Sequence, residues 1–250
     1  MHQILNRTLM CLLLVTLIIF KGSAQQITIP DSLVQKTAAQ NIEAYFNKAI
    51  KQQSKLFNGA FYEFYLPRIT GSAYFKDSQE FTKGSVVYDG FLYEDVPLLY
   101  DLHRDLVVSV FYEGNFKFNL ISEKVTEFKI DNHHFVYLNK ELDSAKSVGK
   151  TGFYDRLYNG KIKIYSKRTK LLQEVNDSRY ARQFFVSKNF YYVEKDKTLY
   201  SFSKLGSFLS LFKNEKAEMR KYLKKNDINF KDNPEHAMVL LAGYYDNLLK

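Results

Sequence analysis

The sequence predicts an α+β fold: a long, curved antiparallel β-meander of about twelve strands, with an N-terminal amphipathic helix and C-terminal helices. Two patterns support this prediction. Between about residues 60 and 202, short aromatic and β-branched runs alternate with turn residues roughly every ten positions. On both sides of that region, apolar residues follow the spacing of a helix instead. No helical pattern separates the strands, so parallel βαβ units are not expected.

The first 24 residues have the layout of a cleaved secretory signal. A short segment with Arg7 precedes an apolar run at 9–20, and the small residues Gly22-Ser23-Ala24 follow it. We expect cleavage between Ala24 and Gln25. The run is shorter than the roughly 20 residues of a membrane-spanning helix, so a permanent anchor is the weaker alternative. The sequence therefore predicts a signal peptide at 1–24, a single α+β domain at 25–250, and no transmembrane segment after cleavage.

Cysteine content and charge narrow the compartment and the chemistry. Cys11 is the only cysteine, so the mature chain would have neither a disulfide nor a thiol nucleophile. A domain of this size can build its core without disulfides. Loss of Arg7 and Lys21 with the signal would lower the formal charge from +9 to +7. For an exported protein, an anionic envelope surface is a better expected partner than nucleic acid, and solubility alone is the alternative.

An amphipathic helix is predicted over 32–56, where Val34, Ala38 and Ile42 begin a helical spacing. The sheet is predicted over 60–202. Its clearest turns are Asp89-Gly90 and Asn159-Gly160, because both central residues of a type I′ turn need positive φ. Further hairpin turns are predicted at three places: Glu113-Gly114-Asn115, Asp131-Asn132 and residues 194–197.

Helices are predicted again over 203–250. Ser203 and Asn214 are candidate caps for two short helices. Asn233-Pro234 is a favourable cap and first-turn pair for the last helix.

Motifs for metal or nucleotide chemistry are absent from the sequence. The mature chain has four histidines, and the adjacent pair His133-His134 would point to opposite faces of a strand. Neither a metal-ligand spacing nor a phosphate-binding glycine loop occurs. We therefore predict no metal and no cofactor.

Catalytic signals are equally weak. No G-x-S-x-G elbow is present, and Ser201-Phe202-Ser203-Lys204 lacks the companion motifs of penicillin-binding enzymes. Carboxylates near Asp95 and Asp101 could serve a glycoside or peptide hydrolase only if they converge in one cleft. A turn or solvent role is the commoner one for such residues.

One predicted hairpin is strongly basic. Between residues 161 and 170 there are five positive side chains and no acid. A contact with an anionic glycan, lipid headgroup or protein is one interpretation, and a solvated edge protected by lysines is the other. The candidate residues for an anionic-surface contact are Lys161, Lys163, Lys167, Arg168 and Lys170.

Two stretches carry a resemblance to other proteins. They are residues 84–101 (GSVVYDGFLYEDVPLLYD) and residues 201–249, which include Leu211-Phe212 and the run at 222–226. With the Ser-Ala-Gln-Gln signal end, they resemble uncharacterised exported envelope proteins of Bacteroidota-type Gram-negative bacteria. The resemblance implies a periplasmic, outer-membrane-associated or secreted location, and it brings no catalytic residues.

The sequence thus favours a non-catalytic envelope protein whose curved sheet binds an apolar or amphiphilic ligand, or a protein partner. Two alternatives stay open: an envelope glycan or peptide hydrolase, and a structural subunit of an envelope complex. The identity of the ligand and the oligomeric state stay open as well.

Overall fold

The computed structural model describes residues 55–111, 116–139, 149–177 and 180–249. The predicted signal peptide and almost all of the predicted helix at 32–56 lie outside these residues. The last two positions of that helix, Lys55 and Leu56, fall in a 3-10 turn, Lys55–Phe57. Among the described residues, no helix has the length and apolar character needed to cross a membrane.

One antiparallel sheet dominates the described chain, and it contains ten strands where about twelve were expected. Every neighbouring pair in the sheet is antiparallel, and the strand order is β10-β9-β8-β7-β6-β5-β1-β2-β3-β4. The strands are β1 (Thr82–Tyr88), β2 (Phe91–Asp101), β3 (Leu106–Phe111), β4 (Phe116–Asn119), β5 (Val125–Ile130), β6 (His133–Leu138), β7 (Gly152–Asn159), β8 (Lys163–Asp177), β9 (Tyr180–Lys195) and β10 (Thr198–Phe202).

The predicted turns mostly connect the expected strands. Asp89 and Gly90 have φ of 53° and 84°, as a type I′ turn requires. Asp131-Asn132 joins β5 to β6 as predicted, with Ile130 opposite His133. Of the turn predicted at 194–197, only Asp196 and Lys197 connect the strands, with φ values of 51° and 58°. The turn predicted at 113–115 lies outside the described residues, although β3 and β4 on either side of it pair as a hairpin.

The hairpin predicted at Asn159-Gly160 is confirmed, but the prediction that a two-residue type I′ turn closes it is wrong. Asn159 pairs with Lys163, which leaves residues 160–162 in the connection, and Gly160 N–H donates to the Ile162 carbonyl at 2.9 Å. The Asp246 carboxylate accepts hydrogen bonds from the Lys161 N–H and the Tyr158 hydroxyl. This tertiary anchor selects a longer loop than the local dipeptide would favour.

The inner face of the sheet is filled by its own aromatic side chains. Tyr100, Phe128, Phe135 and Phe153 come from four different strands, and their ring centroids lie 4.7 to 6.0 Å apart. All four are buried. Mutual edge and stacked contacts of this kind make a packed core, so aromatic side chains fill the space between these four strands.

The turn between β2 and β3 reaches across the sheet and contacts β7 and β8. Lys170 N–H donates to the Leu102 carbonyl at 3.4 Å, and the His103 ring lies 2.9 Å from the Lys170 carbonyl. The Asp105 carboxylate accepts from the Phe153 N–H at 3.3 Å. The sheet therefore curls until its β2 end meets β8, and polar contacts hold that closure.

Three helices follow the sheet: α1 (Leu205–Ser210), α2 (Lys216–Lys225) and α3 (Pro234–Leu248). The Asn233 side chain accepts from the His236 N–H at 3.0 Å, which confirms the predicted cap. The caps predicted at Ser203 and Asn214 are each one residue early, because α1 and α2 begin after Lys204 and Glu215. The helices cover a second core, which includes Ile164 of β8, Val193 of β9 and Ile162 of the connection before β8.

Candidate functional site: a basic groove beside the C-terminal helices

A groove of about 710 Å³ lies where the end of β10 meets α1, α2 and the loop before α3. Its floor is apolar and its rim is polar and basic. The floor is formed by Tyr191, Leu205, Leu223, Ile228, Phe230 and Pro234. The rim is formed by Ser203, Lys204, Gly206, Arg220, Lys224, Asn229 and Lys231.

The C-terminus of α2 builds the floor by a Schellman ending. Asp227 adopts φ of 53°, its N–H donates to the Lys224 carbonyl, and the Ile228 N–H donates to the Leu223 carbonyl at 3.0 Å. In this motif the residue after the left-handed position contacts the last buried turn of its helix. Ile228 is thereby placed beside Leu223, and the two side chains line the groove together.

The rim carries four positive side chains and no carboxylate among its lining residues. Lys204, Arg220, Lys224 and Lys231 are all exposed, and the part of the chain that the structure describes shows no ion pair for any of them. Arg220 and Lys224 are four residues apart on α2, an arrangement that costs stability because like charges repel. A bound anion between these side chains would relieve that repulsion.

Gly206 keeps one side of the groove open. It lies near the start of α1, and a β-carbon built on it would meet no heavy atom within 4 Å. A larger residue at this position would therefore extend into free space without steric conflict. Glycine in a helix is otherwise unfavourable compared with alanine, so its presence here has a local cost.

The basic hairpin singled out by the sequence is largely neutralised within the molecule. Lys163 contacts Glu194 at 2.7 Å, and Arg168 bridges Asp155 and Glu235 at 2.7 and 2.8 Å. Arg168 thus ties the sheet to the first turn of α3.

The two buried lysines of that hairpin are also paired. Lys167 contacts Asp105, and Lys170 contacts Asp77, each at 2.5 Å. Burial lowers the pKa of Lys167, although the Asp105 carboxylate opposes that shift. Lys161 is exposed at the hairpin turn. Four of the five residues predicted to contact an anionic surface therefore already have acidic partners within the protein.

The structure separates the two carboxylates named as possible catalysts. Asp95 is exposed at an irregularity of the β1–β2 pairing, with φ of 53°. Asp101 is fully buried at the other end of β2. Six residues of extended strand place them about 20 Å apart, beyond the roughly 5–10 Å that paired glycosidase carboxylates need.

The buried Asp101 carboxylate accepts hydrogen bonds from two segments of the protein. Its Oδ2 accepts from the Tyr62 and Tyr65 hydroxyls at 2.8 and 2.9 Å, and its Oδ1 accepts from the His103 and Arg104 N–H groups at 2.9 Å each. All four contacts come from the protein itself. These hydrogen bonds tie the segment before β1 to the β2–β3 turn. Burial raises the pKa of Tyr62 and Tyr65, and the neighbouring Asp101 carboxylate adds to the rise.

The adjacent histidines have different partners. His133 Nδ1 lies 2.7 Å from Asp155, whereas His134 Nε2 lies 2.9 Å from Glu127. Within the described ranges, no group of three or more histidine, cysteine or acidic side chains is placed to hold a metal ion.

Sequence reasoning missed the groove, although part of its signal was present. The lysine-rich end of α2 and the following Asn226-Asp227-Ile228 indicate a helix C-terminus with an apolar contact. The juxtaposition with Leu205 and Tyr191 depends on tertiary packing and has no local signature.

Comparison with protein-family models, curated proteins and solved structures gives no match.

Proposed function

We propose that this chain is an exported, non-catalytic envelope protein that binds an anionic amphiphile, such as a long-chain fatty acid, in the basic groove. The observation that carries the proposal is an apolar floor rimmed by four cations without acidic partners among the described residues. The signal-like pattern at 1–24 and the resemblance to envelope proteins support the compartment.

The dimensions of the groove suit this class of ligand. Its volume of about 710 Å³ lies in the usual range for small-molecule sites. Each methylene buried on the floor contributes about 0.8 kcal/mol. A carboxylate at the rim gains from Lys204, Arg220 and Lys224, whereas a neutral head group does not.

The expected affinity is moderate. Burial of roughly ten methylenes gives about 8 kcal/mol before the cost of association, which is at least about 4 kcal/mol. With a further 1 to 2 kcal/mol from the rim charges, the net binding free energy is about 5–6 kcal/mol, which corresponds to a dissociation constant of roughly 40–200 µM. Such binding is measurable with monomeric ligand.

The test compares laurate with dodecanol by calorimetric titration on delipidated protein, below the micelle concentration of laurate. Arg220→Gln combined with Lys224→Gln should weaken laurate binding about tenfold or more and leave dodecanol binding unchanged. Lys221→Gln combined with Lys225→Gln is the matched control, because it removes the same charge from the same helix away from the groove. Equal losses in both double variants would show that laurate responds to overall charge and would overturn the proposal.

The apolar floor is tested separately through Gly206. Gly206→Phe fills open space and should abolish binding of both ligands, whereas Gly206→Ala should leave binding within about twofold. Unchanged binding in the phenylalanine variant would place the ligand elsewhere.

A further inference from the structure

The β8–β9 hairpin extends well beyond the strands on either side of it. β7 pairs with β8 only as far as Ser166, and β10 pairs with β9 only as far as Tyr191. Residues 167–177 and 180–190 continue as a two-stranded ribbon of eleven cross-strand pairs. At the usual rise per residue this ribbon is about 35 Å long.

One face of the ribbon packs on the rest of the domain. The Phe185 ring contacts Tyr65 and His103, with centroids 5.1 and 5.4 Å apart. On the same face Lys170 pairs with Asp77. Thr70 also forms backbone hydrogen bonds with the strand that carries Phe185. This inner face is therefore already occupied.

The outer face is apolar, and the charges between its apolar side chains are positive. Alternation along the paired strands places five apolar side chains there: Leu171, Val175, Phe184, Val186 and Phe190. Leu171, Val175 and Phe190 remain 43%, 49% and 39% exposed. Lys188 and Arg182 share this face, and Lys188 Nζ lies 5.0 Å from the centre of the Phe190 ring.

The outer face has no acidic residue between Thr169 and Val175, and the register places Asp177 on this face at the end of the ribbon. Glu174, which belongs to the same stretch, lies on the inner face, where it accepts a hydrogen bond from Gln183 at 3.0 Å. Apolar area and positive charge are thus segregated onto the same surface.

We propose that the outer face of the ribbon docks on a lipid bilayer that contains anionic lipids. Peripheral membrane binding adds modest apolar burial to attraction between basic residues and anionic headgroups. The ribbon lies along the headgroup region, because a two-stranded ribbon that entered the hydrocarbon would leave the backbone groups of its edges without partners. This inference is independent of the groove.

A bilayer fits this surface better than a protein partner. A stable protein interface buries about 800 Å² on each side. The most exposed apolar side chains of the ribbon are each less than half exposed, so together they offer a few hundred Å² at most. Lys188 above Phe190 also has the arrangement of a lysine that extends towards a membrane surface over an apolar base.

The experiment is flotation of the protein with vesicles of phosphatidylcholine, alone or mixed with an equal part of phosphatidylglycerol. We expect binding to the mixed vesicles, weaker binding in high salt, and little binding to phosphatidylcholine alone. Lys188→Gln and Arg182→Gln should each reduce the partition constant about fivefold. Absence of binding to the mixed vesicles would overturn the proposal, as would equal binding to both.

Leu171 and Leu172 provide a matched pair, because adjacent residues of one strand point to opposite faces. They are 43% and 36% exposed. Leu171→Gln combined with Val175→Gln should weaken vesicle binding about tenfold, whereas Leu172→Gln should stay within about twofold. Equal effects at the two leucines would contradict the assigned face.

A fluorescence experiment with the same vesicles tests the assigned face without depending on the stability of the glutamine variants. The chain contains no tryptophan, so Leu171→Trp and Leu172→Trp each introduce a single fluorophore. Only the tryptophan at position 171 should shift to shorter emission wavelength on addition of mixed vesicles. A concentration-dependent shift without vesicles would identify a second copy as the occupant and overturn the membrane assignment.

Gly206→Phe should leave vesicle binding unchanged, which separates this surface from the groove.

Discussion

Replacement of Asp101 by asparagine tests how much of the fold depends on one buried carboxylate. The side chain is fully buried and accepts four hydrogen bonds, two from tyrosine hydroxyls and two from backbone N–H groups. An asparagine of the same shape keeps one oxygen, which can serve the two N–H groups of the β2–β3 turn. Its NH₂ group then faces Tyr62 and Tyr65, whose hydroxyls must reverse from donor to acceptor.

The magnitude follows from the type of hydrogen bond that is lost. A hydrogen bond to a charged group contributes about 1.5–3 kcal/mol, and a neutral one contributes about 0.5–1.5 kcal/mol. Weakening two such bonds gives a loss of about 2–3 kcal/mol for Asp101→Asn. Asp101→Ala leaves the Tyr65 hydroxyl and the two backbone N–H groups without this acceptor, whereas the Tyr62 hydroxyl can still donate to the Tyr74 hydroxyl at 3.1 Å. We expect a loss of about 4–5 kcal/mol.

The assay is urea unfolding at neutral pH, followed by far-ultraviolet circular dichroism. Asp95→Asn is the control, because Asp95 is exposed and asparagine tolerates its positive φ. We expect that variant within about 0.5 kcal/mol of the parent protein. A loss for Asp101→Asn no larger than for Asp95→Asn would refute the structural role assigned to Asp101.

Two further predictions concern the closed end of the sheet and its tyrosines. Gly152→Ala places a methyl group against the Asp105 carboxylate and the Lys167 ammonium at φ of 142°, and it should cost at least about 2 kcal/mol in urea unfolding. Gly206→Ala, in open space, should be neutral or stabilising, and equal effects of the two substitutions would contradict the predicted clash. Burial raises the pKa of Tyr154 to about 12 and raises those of Tyr62 and Tyr65. The folded state therefore retains protons that the unfolded state releases above about pH 10. The free energy of unfolding is fully retained below pH 10, and above it falls by about 1.4 kcal/mol per pH unit for each such tyrosine. Absorbance at 295 nm should show these tyrosines ionising together with loss of the sheet, and ionisation of all tyrosines by pH 10.5 in an intact sheet would contradict the assignment.

Local rules were sufficient for the Asp89-Gly90 hairpin and for the start of the last helix. Asp89-Gly90 supplies two residues that accept positive φ, and Asn233 supplies a cap to the helix that follows. These features depend on a few neighbouring residues, so the sequence expresses them directly. The Asn159-Gly160 turn was misjudged because its conformation depends on Asp246, more than 80 residues further along the chain.

Local rules could not predict the ion pairs or the groove, because both depend on residues that are far apart in the chain. Lys170 pairs with Asp77, which lies 93 positions earlier, and Lys167 pairs with Asp105 at a separation of 62. A basic run therefore looked free in the sequence although acids from distant segments neutralise it. The groove brings together four cations without described acidic partners, Arg220, Lys224, Lys204 and Lys231, which the sequence scatters over nearly 30 positions.

The contact of the β2–β3 turn with β7 and β8 has a consequence for the folding pathway. Most strand pairs of this sheet join neighbours in the chain, and such hairpins pay little loop-closure entropy. The turn meets Lys167 and Lys170 only after more than 60 intervening residues have been ordered. Local hairpins can therefore form early, while this closure forms late and opposes unfolding more than it accelerates folding. Kinetic stability of the sheet then depends on the polar contacts of this closure as well as on its aromatic centre.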